Sequence, residues 1–104
     1  MENLSLNQAQ KIVDDWIQST EKKYFSELGN LGQLTEEVGE VARIITRTYG
    51  DQNYKPDDQP KNLSDELADV LFVLICLANQ TGINLEEAFH ANLLKKSNRD
   101  NNRH

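Results

Sequence analysis

At 104 residues, 38% of them hydrophobic, the chain is one domain with a core, near the size at which oligomerisation often adds stability. Seventeen acidic against 11 basic side chains give a net charge of -6. That balance excludes a nucleic-acid-coating surface, which needs clustered Lys and Arg, but not a small phosphorylated ligand carried with a metal ion. No apolar run reaches the roughly 20 residues of a membrane span, and Met1-Glu2-Asn3-Leu4 lacks the basic and apolar regions of a signal peptide, so a cytoplasmic protein is expected. The single cysteine, Cys76, sits in an apolar run, as a buried inert thiol would.

Ser5-Leu6-Asn7-Gln8 reads as a capping box opening a first helix to about Thr20, with Ala9, Ile12, Val13, Trp16 and Ile17 on its inner stripe. Leu31, Leu34, Val38, Val41, Ala42, Ile45 and Tyr49 recur at helical spacing and define a second helix from about Leu28 to Tyr49, closed by Gly50. Its acidic residues lie mostly off that stripe, as a solvated face would. Gly39 sits mid-helix, where glycine costs about 1 kcal/mol against alanine, and leaves a bare spot beside the acids. Gly50 to Asn62 is a polar loop with Pro56 and Pro60, long for a small bundle.

Ser64 or Asn62 caps a third helix that runs to about Thr81 and stops at Gly82. Its middle, Val70 to Ala78, is apolar all round, so burial on every side is expected. Asn84-Leu85-Glu86-Glu87 caps a fourth helix with Leu85, Ala88, Phe89, Asn92 and Leu93 on one stripe, ending near Asn98. The expected layout is one domain over residues 1–99 with a frayed tail over 100–104. Four predicted helices without strand-period segments make an all-α, four-helix bundle-type protomer. The third helix needs more cover than three partners in so short a chain provide, so a homodimer or dimer of dimers is expected.

Two acidic runs stand out, Thr35-Glu36-Glu37-Val38-Gly39-Glu40 and Asp65-Glu66-Leu67-Ala68-Asp69. Residues three or four apart share a helix face, so Glu36 and Glu37 neighbour Glu40, and Glu66 neighbours Asp69. Brought together, these carboxylates repel unless a proton or cation lies between them. Oxygen donors of this kind suit Mg²⁺, with Mn²⁺ as a substitute. Acids in a first turn also complement the helix dipole, which explains Asp65 well and Asp69, beside the apolar run, less well.

Glu-Glu-Val-Gly-Glu at 36–40 followed by Glu-Leu-Ala-Asp at 66–69 resembles the E-E-x-x-E … E-x-x-D signature of the MazG-like nucleotide pyrophosphohydrolases, of the all-α NTP pyrophosphatase superfamily. The similarity takes in Trp16-Ile17, Asp65 to Phe72, Leu77-Ala78-Asn79, Gly82 to Ala88 and the closing Asn92-Leu93-Leu94-Lys95-Lys96 … Arg99. The resemblance implies a Mg²⁺-dependent hydrolase that cleaves a nucleoside triphosphate to monophosphate and pyrophosphate. It makes Glu37, Glu40, Glu66 and Asp69 metal ligands, and Glu36 a further ligand or the group orienting the attacking water. Lys95, Lys96, Arg99 and Asn92 would hold phosphate oxygens. Base recognition in such proteins depends on aromatic and amide residues, for which Trp16, Tyr24, Tyr49 and Asn79 are candidates. Two other readings are phosphoribosyl-ATP pyrophosphohydrolase, whose usual Ser-Tyr-Thr stretch is lacking, and a non-catalytic helical dimerisation module, against which every filled acidic position speaks.

Overall fold

The computed structural model describes residues 3–20, 23–50 and 62–101, without the side chains of 100 and 101. Four helices form among them: α1 (Leu6–Ser19), α2 (Glu27–Tyr49), α3 (Leu63–Gln80) and α4 (Leu85–Asn101). No strand occurs among the described residues. The polar loop between α2 and α3 lies outside them, as do residues 102–104 of the expected tail. Helix α4 continues to Asn101, past the expected end at Asn98.

Each helix start is marked by a side chain that satisfies free backbone N–H groups. Ser5 Oγ accepts from the Gln8 N–H at 3.1 Å and Gln8 Oε1 from the Ser5 N–H at 2.8 Å, completing the capping box. Asn62, rather than Ser64, caps α3, accepting from the Ser64 and Asp65 N–H groups. Asn84 Oδ1 accepts from the Glu87 N–H at 2.9 Å. Ser26 caps α2 through the Gly29 N–H. Helix α3 ends in a Schellman motif: Ile83 N–H bonds to Ala78 O, Gly82 N–H to Asn79 O, and Gly82 takes the required positive φ of 72°.

Helices α2 and α3 form an antiparallel pair, with α1 packed on α3 and α4 on α1. The core is small: Ile17 from α1, Ile44 from α2, and Val73, Ile75, Cys76 and Ala78 from α3. The expectation that α3 is buried on every side does not hold within one chain, because Leu67, Leu71, Phe72 and Leu74 remain exposed. The reason is the direction of α4. It departs from α3 at 106° instead of closing over it, and so Phe89 (52% exposed), Leu93 (49%) and Leu94 face outward.

Helix α2 also turns a different face inward from the one its apolar spacing predicts. Asn30, Leu34, Glu37, Glu40, Val41, Ile44 and Arg47 are buried or half-buried, whereas Leu31, Val38, Ile45 and Tyr49 of the predicted stripe are exposed. The acids thus belong to the α3-facing side. No single described helix is long and apolar enough to cross a membrane.

Candidate active site

The α2–α3 pairing brings the two acidic runs together. Glu36, Glu37, Glu40, Glu66 and Asp69 line one cavity of about 470 Å³, open to solvent, with Gly39 at its edge. Carboxylate oxygens of Glu37, Glu66 and Asp69 lie within 4.8 Å of one another. Burial pushes the Glu37 carboxyl above its ordinary value, and the charges of Asp69 and Glu66, a hydrogen bond to Glu66 and the charge of Glu40 push it the same way. The cluster is therefore costly while all its members are ionised. A hard divalent cation would relieve that cost, and carboxylate oxygens are donors that suit such a cation. The bare edge at Gly39 is not imposed by packing, since a Cβ there would meet nothing within 4 Å.

The expected phosphate-binding residues are gathered elsewhere. Asn92, Lys95, Lys96 and Arg99, with Asn98, line a separate cavity of about 480 Å³ on α4, and Lys96 Nζ donates to Asn92 Oδ1. Because α4 packs on α1, this basic end does not share the acidic cavity within one chain.

A third cavity, about 440 Å³, opens between α1, the segment before α2, and α3. Its lining is mostly aromatic, with Trp16, Tyr24, Phe25 and Phe72, and is completed by Ile17, Lys23, Asn30 and Cys76. Trp16 is 49% exposed and meets Phe72 edge-on at 6.2 Å. Tyr24 is fixed by its hydroxyl, which donates to Asp14 Oδ1 at 2.7 Å and accepts from Asn79 Nδ2 at 3.0 Å. Burial and the Asp14 bond push the Tyr24 phenol up to about 12.

Asn79, a candidate base contact, lies in a joint between helices instead. Its Nδ2 donates to Gln10 O and Tyr24 Oη, and its Oδ1 accepts from Gln10 Nε2. That leaves it no free donor with which to read a base. Gln10 extends the joint to the α3–α4 turn, donating to Ile83 O at 2.9 Å and accepting from the Leu85 N–H at 2.8 Å. Asn7 and Glu86 add a second tie between α1 and α4. Tyr49 is exposed and does not line this cavity, and His90 is exposed on α4.

Residues 25–104 match the family model of the MazG nucleotide pyrophosphohydrolase domain. The chain belongs to this family. As a MazG protein it is a hydrolase, a nucleotide pyrophosphohydrolase, of a kind generally dependent on divalent metal. It is 40% identical to the uncharacterised Bacillus subtilis (strain 168) protein YpjD, over 99% of this chain and 93% of that one. YvdC of the same strain, also uncharacterised, is 33% identical over 76% of this chain and 83% of its own. The crystal structure of B. subtilis YpjD superposes with a TM-score of 0.80 at 41% identity, covering 94% of this chain and 97% of that one. A Bacillus-conserved MazG protein described as a nucleotide pyrophosphohydrolase gives 0.77 at 39% identity, covering 91% and 92%.

The residues that sequence reasoning missed are the amides. Gln10, Gln80 and Asn30 are polar residues at inward positions, and nothing in the periodicity of their helices marks them. Ser26 carried a readable signal, a serine just ahead of a helical segment.

Proposed function

We propose that this MazG protein is a Mg²⁺-dependent hydrolase of (d)NTPs that releases (d)NMP and pyrophosphate and cleans the cytoplasmic nucleotide pool. The observation that carries this reading is the convergence of the Glu37, Glu66 and Asp69 carboxylates across two helices. Glu37, Glu40, Glu66 and Asp69 would hold the cation, with Mn²⁺ as a substitute. When bound, Mg²⁺ screens the triphosphate from the acidic cavity and makes a water more acidic. Glu36, exposed at the cavity, orients the attacking water through its carboxylate, and Glu37 supports it. No covalent nucleophile is needed.

Lys95, Lys96, Arg99 and Asn92 offset charge on the departing pyrophosphate. They lie on a helix directed away from the acids, so a homodimer or homotetramer in which a second copy delivers α4 completes the site. The exposure of Leu71 and Leu74 on α3 and of Phe89 and Leu93 on α4 supports such an assembly.

The test is a panel of NTPs and dNTPs incubated with protein and Mg²⁺. Pyrophosphate rather than orthophosphate should be released, and EDTA, Glu40→Gln or Asp69→Asn should abolish release while the variants stay folded. Folded protein that turns over none of the panel would defeat the proposal.

A further inference from the structure

Helix α4 is held at one end. Leu85 and Glu86 are half-buried, whereas every residue from Glu87 to Arg99 is exposed. The direction in which this helix leaves the rest of the chain is therefore decided in its first turn.

That turn is gripped by α1. Asn7 and Gln10 lie three residues apart and share a face of the helix. Gln10 Oε1 accepts from the Leu85 N–H at 2.8 Å, one of the donors that a helix start leaves free. Its Nε2 donates to the Ile83 carbonyl at 2.9 Å and to Asn79 Oδ1 at 3.0 Å. A backbone N–H can only donate and a carbonyl only accept, so the Gln10 amide has one orientation. Asn79 returns the contact from α3, donating through Nδ2 to the Gln10 carbonyl. One amide thus ties the end of α3, the turn and the start of α4 to α1. Asn7 adds a second hold, donating through its backbone N–H and Nδ2 to the Glu86 carboxylate.

Beyond this joint α4 is a lever. At about 1.5 Å per residue, Lys95 lies about 15 Å along it from Leu85, and Arg99 about 21 Å. A swing of about 10° at the joint would move Arg99 by about 3.5 Å. That is a wide miss where a misplacement of about 1 Å can lower a rate about 100-fold. The angle of 106° to α3 also carries the basic residues away from the acidic cavity of their own chain.

We infer that Gln10, backed by Asn79, is a positioning residue for the phosphate-binding groups: it aims α4 so that Lys95, Lys96 and Arg99 reach the acidic cavity of a second copy. This rests on the hydrolase reading above and on its assignment of those three residues. Gln10 acts through α4 and not on the substrate. It sits at the pivot, where a small change is multiplied along the helix.

A double-mutant cycle between the pivot and the far end tests this. Pyrophosphate release in saturating Mg²⁺ is measured for the parent, Gln10→Met, Arg99→Ala and the double variant, with the nucleotide that the parent turns over fastest. Each single change should lower kcat/KM by about tenfold or more. The double variant should lose little beyond the worse single one, because an arm already off target makes no use of its arginine. Independent effects would multiply instead. The Mg²⁺-induced rise in Tm should be the same in Gln10→Met as in the parent, since the clustered carboxylates lie on α2 and α3. Elution in gel filtration should be unchanged as well. If Gln10→Met loses its helical circular dichroism at the assay temperature, Asn7→Ala takes its place in the cycle. It cuts only the hold on Glu86, with an expected loss of about threefold, the value of a weak hydrogen bond.

Unchanged turnover in Gln10→Met, losses that multiply, a smaller Mg²⁺ shift, or elution as a smaller species overturns the inference and leaves the hydrolase standing. Turnover that survives Lys95→Ala, Lys96→Ala and Arg99→Ala removes the phosphate assignment and the inference with it. A folded parent that turns over no nucleotide defeats both.

Discussion

Replacing Glu37 with glutamine should stabilise the metal-free protein and abolish its response to Mg²⁺. Glu37 has two carboxylate neighbours, Glu66 and Asp69, with oxygens within 4.8 Å. At that separation two unit charges repel by about 1 kcal/mol in water-like surroundings and about 3.5 kcal/mol at an effective dielectric constant near 20. The cavity is open to solvent, so the lower figure applies, and removing two such pairs gives about 2 kcal/mol. For a domain of this size that raises Tm by about 10 °C. The parent gains instead from the cation: at a hundred times its Kd, a ligand specific to the folded state adds about 2.7 kcal/mol. Melting curves of parent and Glu37→Gln, each in EDTA and in saturating Mg²⁺, should therefore cross. The variant melts higher in EDTA, and the parent gains most when Mg²⁺ is added. A variant that melts below the parent in EDTA, or that keeps the full Mg²⁺ shift, would refute the reasoning.

The raised Glu37 carboxyl also sets a pH dependence. Between its ordinary value of 4.5 and its raised one the folded state holds a proton that the unfolded state has lost, so in EDTA stability falls as pH rises through that window. Glu37→Gln should lack this fall, and the Mg²⁺-induced rise in Tm should grow over the same range. Tyr24, pushed from 10.0 to about 12, gives the alkaline counterpart: stability falls as pH rises from 10 to 12, and absorbance at 295 nm shows a late tyrosinate step that Tyr24→Phe removes. Gln10→Met keeps the volume but strands Leu85 N–H and Asn79 Oδ1; urea denaturation should show a loss of about 2–4 kcal/mol. Gly39→Ala meets no atom, so it should gain up to about 1 kcal/mol in helix stability, and any fall in kcat/KM would locate substrate at that edge.

The sequence showed the acidic site more clearly than the packing around it. Two runs with i, i+3 and i, i+4 carboxylates, the second opening an apolar helix, already constrain which faces must meet, and the α2–α3 pairing joins them. Helix ends were readable for the same local reason, because Ser5, Asn62 and Asn84 act on backbone within three residues. The amide joints were not readable. Gln10 meets Asn79 and Leu85 across about 70 residues of chain, and a glutamine in a helix looks alike whether its amide faces water or a neighbouring helix end. The commitment of Asn79 to Gln10 and Tyr24 is another such joint that the helical pattern does not mark.

The inward face of α2 was misread for a more instructive reason. Periodicity finds the most apolar stripe of a helix and takes it for the face toward the chain's own core. In α2 the core-facing side carries Asn30, Glu37, Glu40 and Arg47, because that side builds the site. The more apolar stripe, with Leu31, Val38 and Ile45, is left exposed. The inward side of α2 thus mixes these polar residues with Leu34, Val41 and Ile44, while a second aliphatic stripe faces outward. The same inversion appears on α4, where Phe89 and Leu93 face away from α1 and α3. Both helices, with the exposed Leu67, Leu71 and Leu74 of α3, present the surface that the proposed assembly of copies would cover.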